Sequence, residues 1–170
     1  MAVTADEFRR FMAQWPSGVA VVTTANRGVP AGCTVNAVMS LSAAPPLLVV
    51  SLSETSRTLP AIRESGRFGV SLLSRDQRDL CERFAHRPPH ERFGDDLAVE
   101  TRHAIPILAH ACAAAVCRAV DYLSYADHTL IVGAPLWQSA HRERSPLVLQ
   151  ARAYHDLAST RSPAICDRPR

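Results

Sequence analysis

The 170-residue chain contains no lysine; all 19 of its basic residues are arginine. That absence excludes a Schiff-base lysine, a lysine general base and the phosphate-binding lysine of a P-loop. No G-x-G-x-x-G is present either, so a Rossmann dinucleotide site is not expected. Long apolar runs are missing too. The longest, Pro45 to Leu52, falls well short of the ~20 residues of a membrane helix and reads as a buried strand. The opening stretch MAVTADEFRRFMAQW lacks the apolar centre of a secretory signal and carries an amphipathic helix pattern instead. The five cysteines (33, 81, 112, 117 and 166) are odd in number and form no C-x-x-C, which points to a reduced, cytoplasmic chain. Charge of one sign is also scarce: 19 basic against 16 acidic residues leaves +3, too little for a nucleic-acid surface.

What is present is a globular balance, with 47% hydrophobic and 21% charged residues. It predicts one domain over residues 1–155 and a flexible tail over 156–170. Phe8, Phe11, Met12 and Trp15 share one face of a helix over 5–15, with Asp6 near its start and Pro16-Ser17-Gly18 stopping it. Strands are expected at 18–24 and through 33–36, joined by the turn Asn26-Arg27-Gly28. Residues 39–42 lead into a break at Ala43-Ala44-Pro45-Pro46, and 47–53 (LLVVSLS) is the clearest strand. A helix over 56–65, a strand over 67–73 and a helix over 74–85 follow, the last opened by the capping-box pair Ser74 and Gln77. Residues 86–100 read as a loop; strands are expected at 111–122, 128–138 and 147–154. Strands and helices do not alternate throughout, so a mainly β fold is expected, an antiparallel barrel of Greek-key type with peripheral helices.

Polar residues gather at the ends of two of these strands: Thr34, Asn36 and Ser40, then Ser51, Ser53, Ser56, Arg57 and Thr58. Ser56-Arg57-Thr58 opens a helix, where free N–H groups, hydroxyls and an arginine suit a phosphate. The same pattern also describes an ordinary capped helix with a solvated arginine. No metal site is expected, because the prolines between His86 and His90 spoil a helical pair and Cys112 and Cys117 fall on opposite strand faces. His128, read by itself, is a turn histidine.

The stretches FRRFMAQWPSGVAVVTT, GCTVNAVMSLSAAPPLLVVSLSETSRT, IRESGRFGVSLLS, RFA and DHTLIVGAP together resemble the flavin reductase family, over about residues 7–154. These are small FMN-binding split-barrel proteins that serve two-component monooxygenases. The resemblance implies a homodimer with flavin near the subunit interface. It implies that Thr34, Val35 and Asn36 line the isoalloxazine edge and that Ser40 lies in a segment offering backbone contacts to the ring. It puts Ser51 and Ser53 toward the ribityl chain and Ser56, Arg57 and Thr58 on the phosphate. Arg83 and Phe84 belong to the helix and loop that cover the cofactor, and His128 lies near the nicotinamide. The ending Ala153-Tyr154-His155 departs from the family's Gly-Gly-Tyr type, and Cys33 stands where many relatives have Met.

The implied activity is hydride transfer from NADH or NADPH to FMN or FAD, with reduced flavin passed to a partner monooxygenase. Flavin and nicotinamide carry that chemistry, so no protein nucleophile is needed. Two alternatives keep the fold: another redox step in a biosynthetic pathway, or a non-catalytic flavin carrier. Neither nucleic acid nor membrane is an expected partner.

Overall fold

The structure, a computed structural model, describes residues 2–157. Cys166 and nearly all of the tail expected from residue 156 lie outside the described residues. Helix α1 (Ala5–Met12) is followed by β1 (Ser17–Gly18), β2 (Ala20–Asn26), β3 (Val29–Val35), β4 (Val38–Ala43) and β5 (Pro46–Ser53). Next come α2 (Thr58–Ser65), β6 (Arg67–Leu72), a 3-10 turn (Arg75–Gln77), α3 (Arg78–His86) and α4 (Pro89–Arg92). The chain then forms β7 (Val99–Arg102), β8 (Ile105–Leu108), the long pair β9 (Ala113–Tyr125) and β10 (His128–Ala140), and a final hairpin, β11 (Val148–Gln150) and β12 (Ala153–His155).

Seven strands make one sheet in the order β3-β2-β6-β9-β10-β5-β4. Its pairings are all antiparallel. Strands β3 and β4 are consecutive in the chain yet occupy opposite edges, with only Asn36 and Ala37 between them. In a flat sheet, six spacings of ~4.8 Å would hold those edges about 29 Å apart. Three Cα steps span at most about 11 Å. The sheet must therefore curl until its edges meet, and β3 does come into contact with β5. This is the barrel expected from the order of elements.

Burial follows from closure. Residues 19–22 alternate between two cores: Ala20 and Val22 join Val35, Val50, Leu52, Phe68, Val70, Cys117 and Ile131 together with Leu59 and Ile62 of α2. Val19 and Val21 face outward onto Leu73, Cys81, Phe84, Leu97, Leu108 and Leu147. A strand buried on both faces reads as a continuous apolar run, which is why this segment is so legible. The Ser74–Gln77 capping box is present as the sequence predicts, although it opens the 3-10 turn ahead of α3. Helix α2 ends at Gly66 in the left-handed conformation (φ 65°).

Several expectations need correction. Residues 39–42 do not simply lead into a break; they are the body of β4. A register shift between Ser40 and Ser42 disrupts the period of two, and Met39 and Leu41 are both exposed. Residues 86–100 are not all loop, because they hold α4 and the start of β7. Its partner β8 is buried throughout, but IPIL is too short and too interrupted by proline to signal a strand. The expected strand over 147–154 is a tight hairpin, broken at Ala151 and Arg152. Helix α1 stops at Met12, capped by a reciprocal Thr4–Glu7 box, and none of its residues is buried.

Strand β10 crosses Phe68 at Gly133, where the β9–β10 register shifts. A Cβ there would collide with the Phe68 ring and lie 2.9 Å from the Cys117 Cβ. Gly133→Ala is expected to destabilise the fold by about 1–3 kcal/mol through overpacking. Denaturant unfolding measures this as a lower midpoint at an unchanged m-value; an unmoved midpoint would show that the Phe68 ring swings aside freely.

Candidate functional site at the barrel seam

Where the sheet closes, a cavity of about 320 Å³ opens. The end of β3 (Cys33, Thr34, Val35), the link (Asn36, Ala37), the end of β5 (Ser51, Leu52, Ser53), Ser56 and His128 line it. The sheet register explains the convergence: His128 at the start of β10 is the direct partner of Ser53 at the end of β5. The Ser51 N–H donates to the Ala37 carbonyl at 3.0 Å, which carries the β4–β5 ladder into the link.

Most polar side chains around the cavity already have partners. The Thr34 hydroxyl donates to the Cys81 carbonyl of α3 at 2.7 Å. Ser53 Oγ accepts from the Thr55 N–H at 3.2 Å, and Ser56 Oγ accepts from the Thr58 N–H at 3.3 Å while lying 3.7 Å from Cys33 Sγ. His128 Nδ1 is 2.8 Å from Asp127 Oδ1, a hydrogen bond that holds the Asp127 carboxyl below its usual range. Because Asp127 takes Nδ1, the other ring nitrogen is the one left for a ligand. The Glu54 N–H donates to Asp127 O at 2.9 Å, and the Glu54 carboxylate accepts from the Thr129 hydroxyl, which lowers its pKa. These contacts clamp the turn before α2 to the turn before β10.

At one end of the cavity stands the N-terminus of α2. Arg57 is its N-cap residue, exposed and without a capping side-chain bond, and the first turn carries no acidic residue. Amide dipoles, hydroxyls and a guanidinium at one helix end make a favourable place for an anion.

Thr34, Val35, Asn36, Ser51, Ser53, Ser56 and His128 thus lie together around one cavity. Ser40, Arg57, Thr58, Arg83 and Phe84 are not among its lining residues. Ser40 lies exposed on the edge strand β4, and Thr58 is buried beneath the helix start. Arg83 is buried and bonds both Asp96 oxygens at 2.6 and 3.0 Å. Phe84 is fully buried, packs edge-on against Phe93 at 5.1 Å and presses on β3 at Gly32. Phe84 therefore backs β3 from outside the barrel, while Arg83 ties α3 to Asp96. Ala37 and Leu52 were not foreseen in the sequence because their side chains carry no polar group to mark a site. The Tyr154 hydroxyl donates to Glu82 at 2.6 Å and lies 3.1 Å from Cys81 Sγ, with Arg78 over its ring, so it ties β12 to α3. Burial raises the pKa of both the Tyr154 hydroxyl and the Cys81 thiol.

Residues 12–158 match the model of the flavin reductase like domain family. The chain belongs to that family. Among relatives of this flavin reductase family member, the reductase component of a 4-nitrophenol 4-monooxygenase/4-nitrocatechol 2-monooxygenase from Rhodococcus opacus is 40% identical, over 74% of this chain and 67% of its own length. A flavin reductase (NADH) from Kitasatospora aureofaciens is 38% identical over 89% of this chain and 81% of its own. An actinorhodin polyketide dimerase from Streptomyces coelicolor is 35% identical over 94% and 90%. The solved structure of flavin reductase PheA2 in its native state superposes with a TM-score of 0.84 at 33% identity, covering 92% of this chain and 99% of that one.

Proposed function

We propose that the chain is an NAD(P)H-dependent flavin reductase, reducing FMN or FAD and supplying the reduced flavin to a partner monooxygenase. The observation that carries this reading is the seam cavity, lined by Thr34, Asn36, Ser51, Ser53, Ser56 and His128, in a member of the flavin reductase family. The flavin and the nicotinamide supply the redox chemistry when bound, a hydride passing from the nicotinamide to flavin N5. The protein's task is to hold the two rings in contact and to surround the ring edge with donors.

In this reading Thr34, Val35 and Asn36 border the ring, with Thr34 held in place through its bond to Cys81. Ser40 belongs to the backbone segment beside it. Ser51 and Ser53 face the ribityl chain, and Ser56, Arg57 and Thr58 take the phosphate at the start of α2. Phe84 acts from behind, packing α3 on β3, and Arg83 fixes α3 through Asp96. His128, oriented by Asp127, offers its second nitrogen to the nicotinamide amide. In this reading flavin comes and goes as a substrate.

The reading extends to a single domain over residues 1–155, a homodimer and a cytoplasmic setting. Met39 and Leu41 are exposed on the edge strand, beside an apolar hollow of about 360 Å³ whose walls include Val38, Leu48, Val70 and Leu72. A second copy covering that edge accounts for both features. The four cysteines among the described residues are free, and no helix among them is long and apolar enough to cross a membrane.

A second reading has one observation in its favour, the similarity to a polyketide dimerase. It keeps the flavin and assigns the barrel another redox step in biosynthesis.

The deciding experiment follows NADH and NADPH oxidation by absorbance with FMN, FAD or no flavin added to purified protein. Oxidation that depends on added flavin is expected; flavin binding without oxidation would overturn the first reading and favour the second. Arg57→Ala is expected to weaken FMN binding about tenfold, the loss of a charged hydrogen bond, and to leave riboflavin binding unchanged. Equal affinity of wild type and variant for FMN would remove Arg57 from the phosphate. Sedimentation is expected to show a species of twice 18.5 kDa, and a monomer would refute the dimer.

A further inference from the structure

His128 lines the seam cavity with little of its own to hold it there. Its one side-chain partner among the described residues is Asp127, and the Asp127 side chain is 89% exposed. A carboxylate standing in water fixes a ring only loosely. The turn that carries the pair is no firmer in itself. Ala126 has φ 52°, a left-handed conformation that alanine holds less readily than glycine. What places the ring must therefore act on the backbone around it.

Glu54 acts there twice. Its N–H donates to the Asp127 carbonyl at 2.9 Å, on one side of His128, and its carboxylate accepts from the Thr129 hydroxyl, on the other. The sheet register sets this up, because His128 is paired with Ser53 and Glu54 is the next residue. Thr129 is fully buried, and its surroundings fix where its proton points. Ser124 Oγ, on the neighbouring strand, lies 2.8 Å from the Thr129 oxygen, and Arg63 Nη2 donates to that oxygen at 3.3 Å. A hydroxyl has two lone pairs and one proton. With Ser124 and Arg63 on the lone pairs, the proton is left for the Glu54 carboxylate. Arg63 also lies over the Tyr122 ring at 5.8 Å, so α2, β9 and β10 meet at this one hydroxyl.

We propose that Glu54 is a positioning residue for His128: by tying residues 127 and 129 to the end of β5, it holds the imidazole at the cavity wall where the nicotinamide donor arrives. The inference rests on the flavin reductase reading. Glu54 is not among the residues lining the cavity, so its effect on a ligand passes through His128. Ser56 and Arg57 follow it in the chain and take part in neither bond, so the loss of Glu54 is expected at the donor rather than at the flavin.

The test uses Glu54→Ala and Glu54→Gln in the full chain. With FMN as acceptor, Glu54→Ala is expected to raise the NADH KM about tenfold, the size of a lost charged hydrogen bond, and to leave the FMN Kd unchanged. Glutamine keeps an oxygen for the Thr129 hydroxyl and is expected to recover most of the loss. In a His128→Ala background, Glu54→Ala should leave the NADH KM where it is, because the residue it positions is gone. A comparable rise in that background, or an equal rise in the FMN Kd, would show general loosening and overturn the proposal, as would an unchanged KM in Glu54→Ala itself. NMR of the imidazole nitrogens reads the clamp without turnover. His128 is identified among the seven histidines by the signals lost in His128→Ala. Signals that move in Glu54→Ala and return in Glu54→Gln support the clamp even if the wild type oxidises no NADH, a result that would refute the reductase reading alone. His128 signals unmoved in Glu54→Ala overturn the proposal.

Discussion

Two residues join the opposite edges of a seven-stranded sheet, and most of the molecule follows from that. Asn36 and Ala37 are too short a bridge for any flat arrangement, so the sheet rolls up. Rolling up encloses the core around Phe68, Val50 and Ile131, all fully buried. It also brings the ends of β3 and β5 together with the start of β10, which is where the candidate site lies. Closure and site formation are one event. A ligand at the seam is held by the same strands whose meeting defines the fold.

Outside the barrel, a chain of contacts braces that seam. Tyr154 bonds Glu82 and lies beside Cys81, and the Cys81 carbonyl accepts the Thr34 hydroxyl at the cavity wall. Phe84 packs α3 on β3 at Gly32, and the Arg83–Asp96 pair ties α3 to the loop before β7. The last hairpin, α3 and the cavity wall are thereby connected through hydrogen bonds and packing alone. For a reaction in which bound groups do the chemistry, this rigidity is what the protein contributes: hydride transfer depends on ring contact, and contact depends on walls that stay where they are.

The lack of lysine fits such a division of labour. The polar side chains near the cavity are mostly engaged with the protein itself.

The local elements were legible in the sequence where one rule decided them: the double-faced run at 19–22, the strand through Val49–Leu52, the Ser74–Gln77 box, the stop at Gly66. The polar residues of the site were legible as types, and the order of motifs pointed to the family. Where two rules competed, the reading failed. A bulge hid β4 and a proline hid β8. Only the tertiary structure decided that β3 and β4 are opposite edges, that Ser53 faces His128, and that Arg83 spends its charge on Asp96. Those facts rest on partners far apart in the chain: 47 residues separate Thr34 from the carbonyl it bonds. Periodicity and capping act within a few residues, whereas the closure of a barrel is a property of the whole sheet.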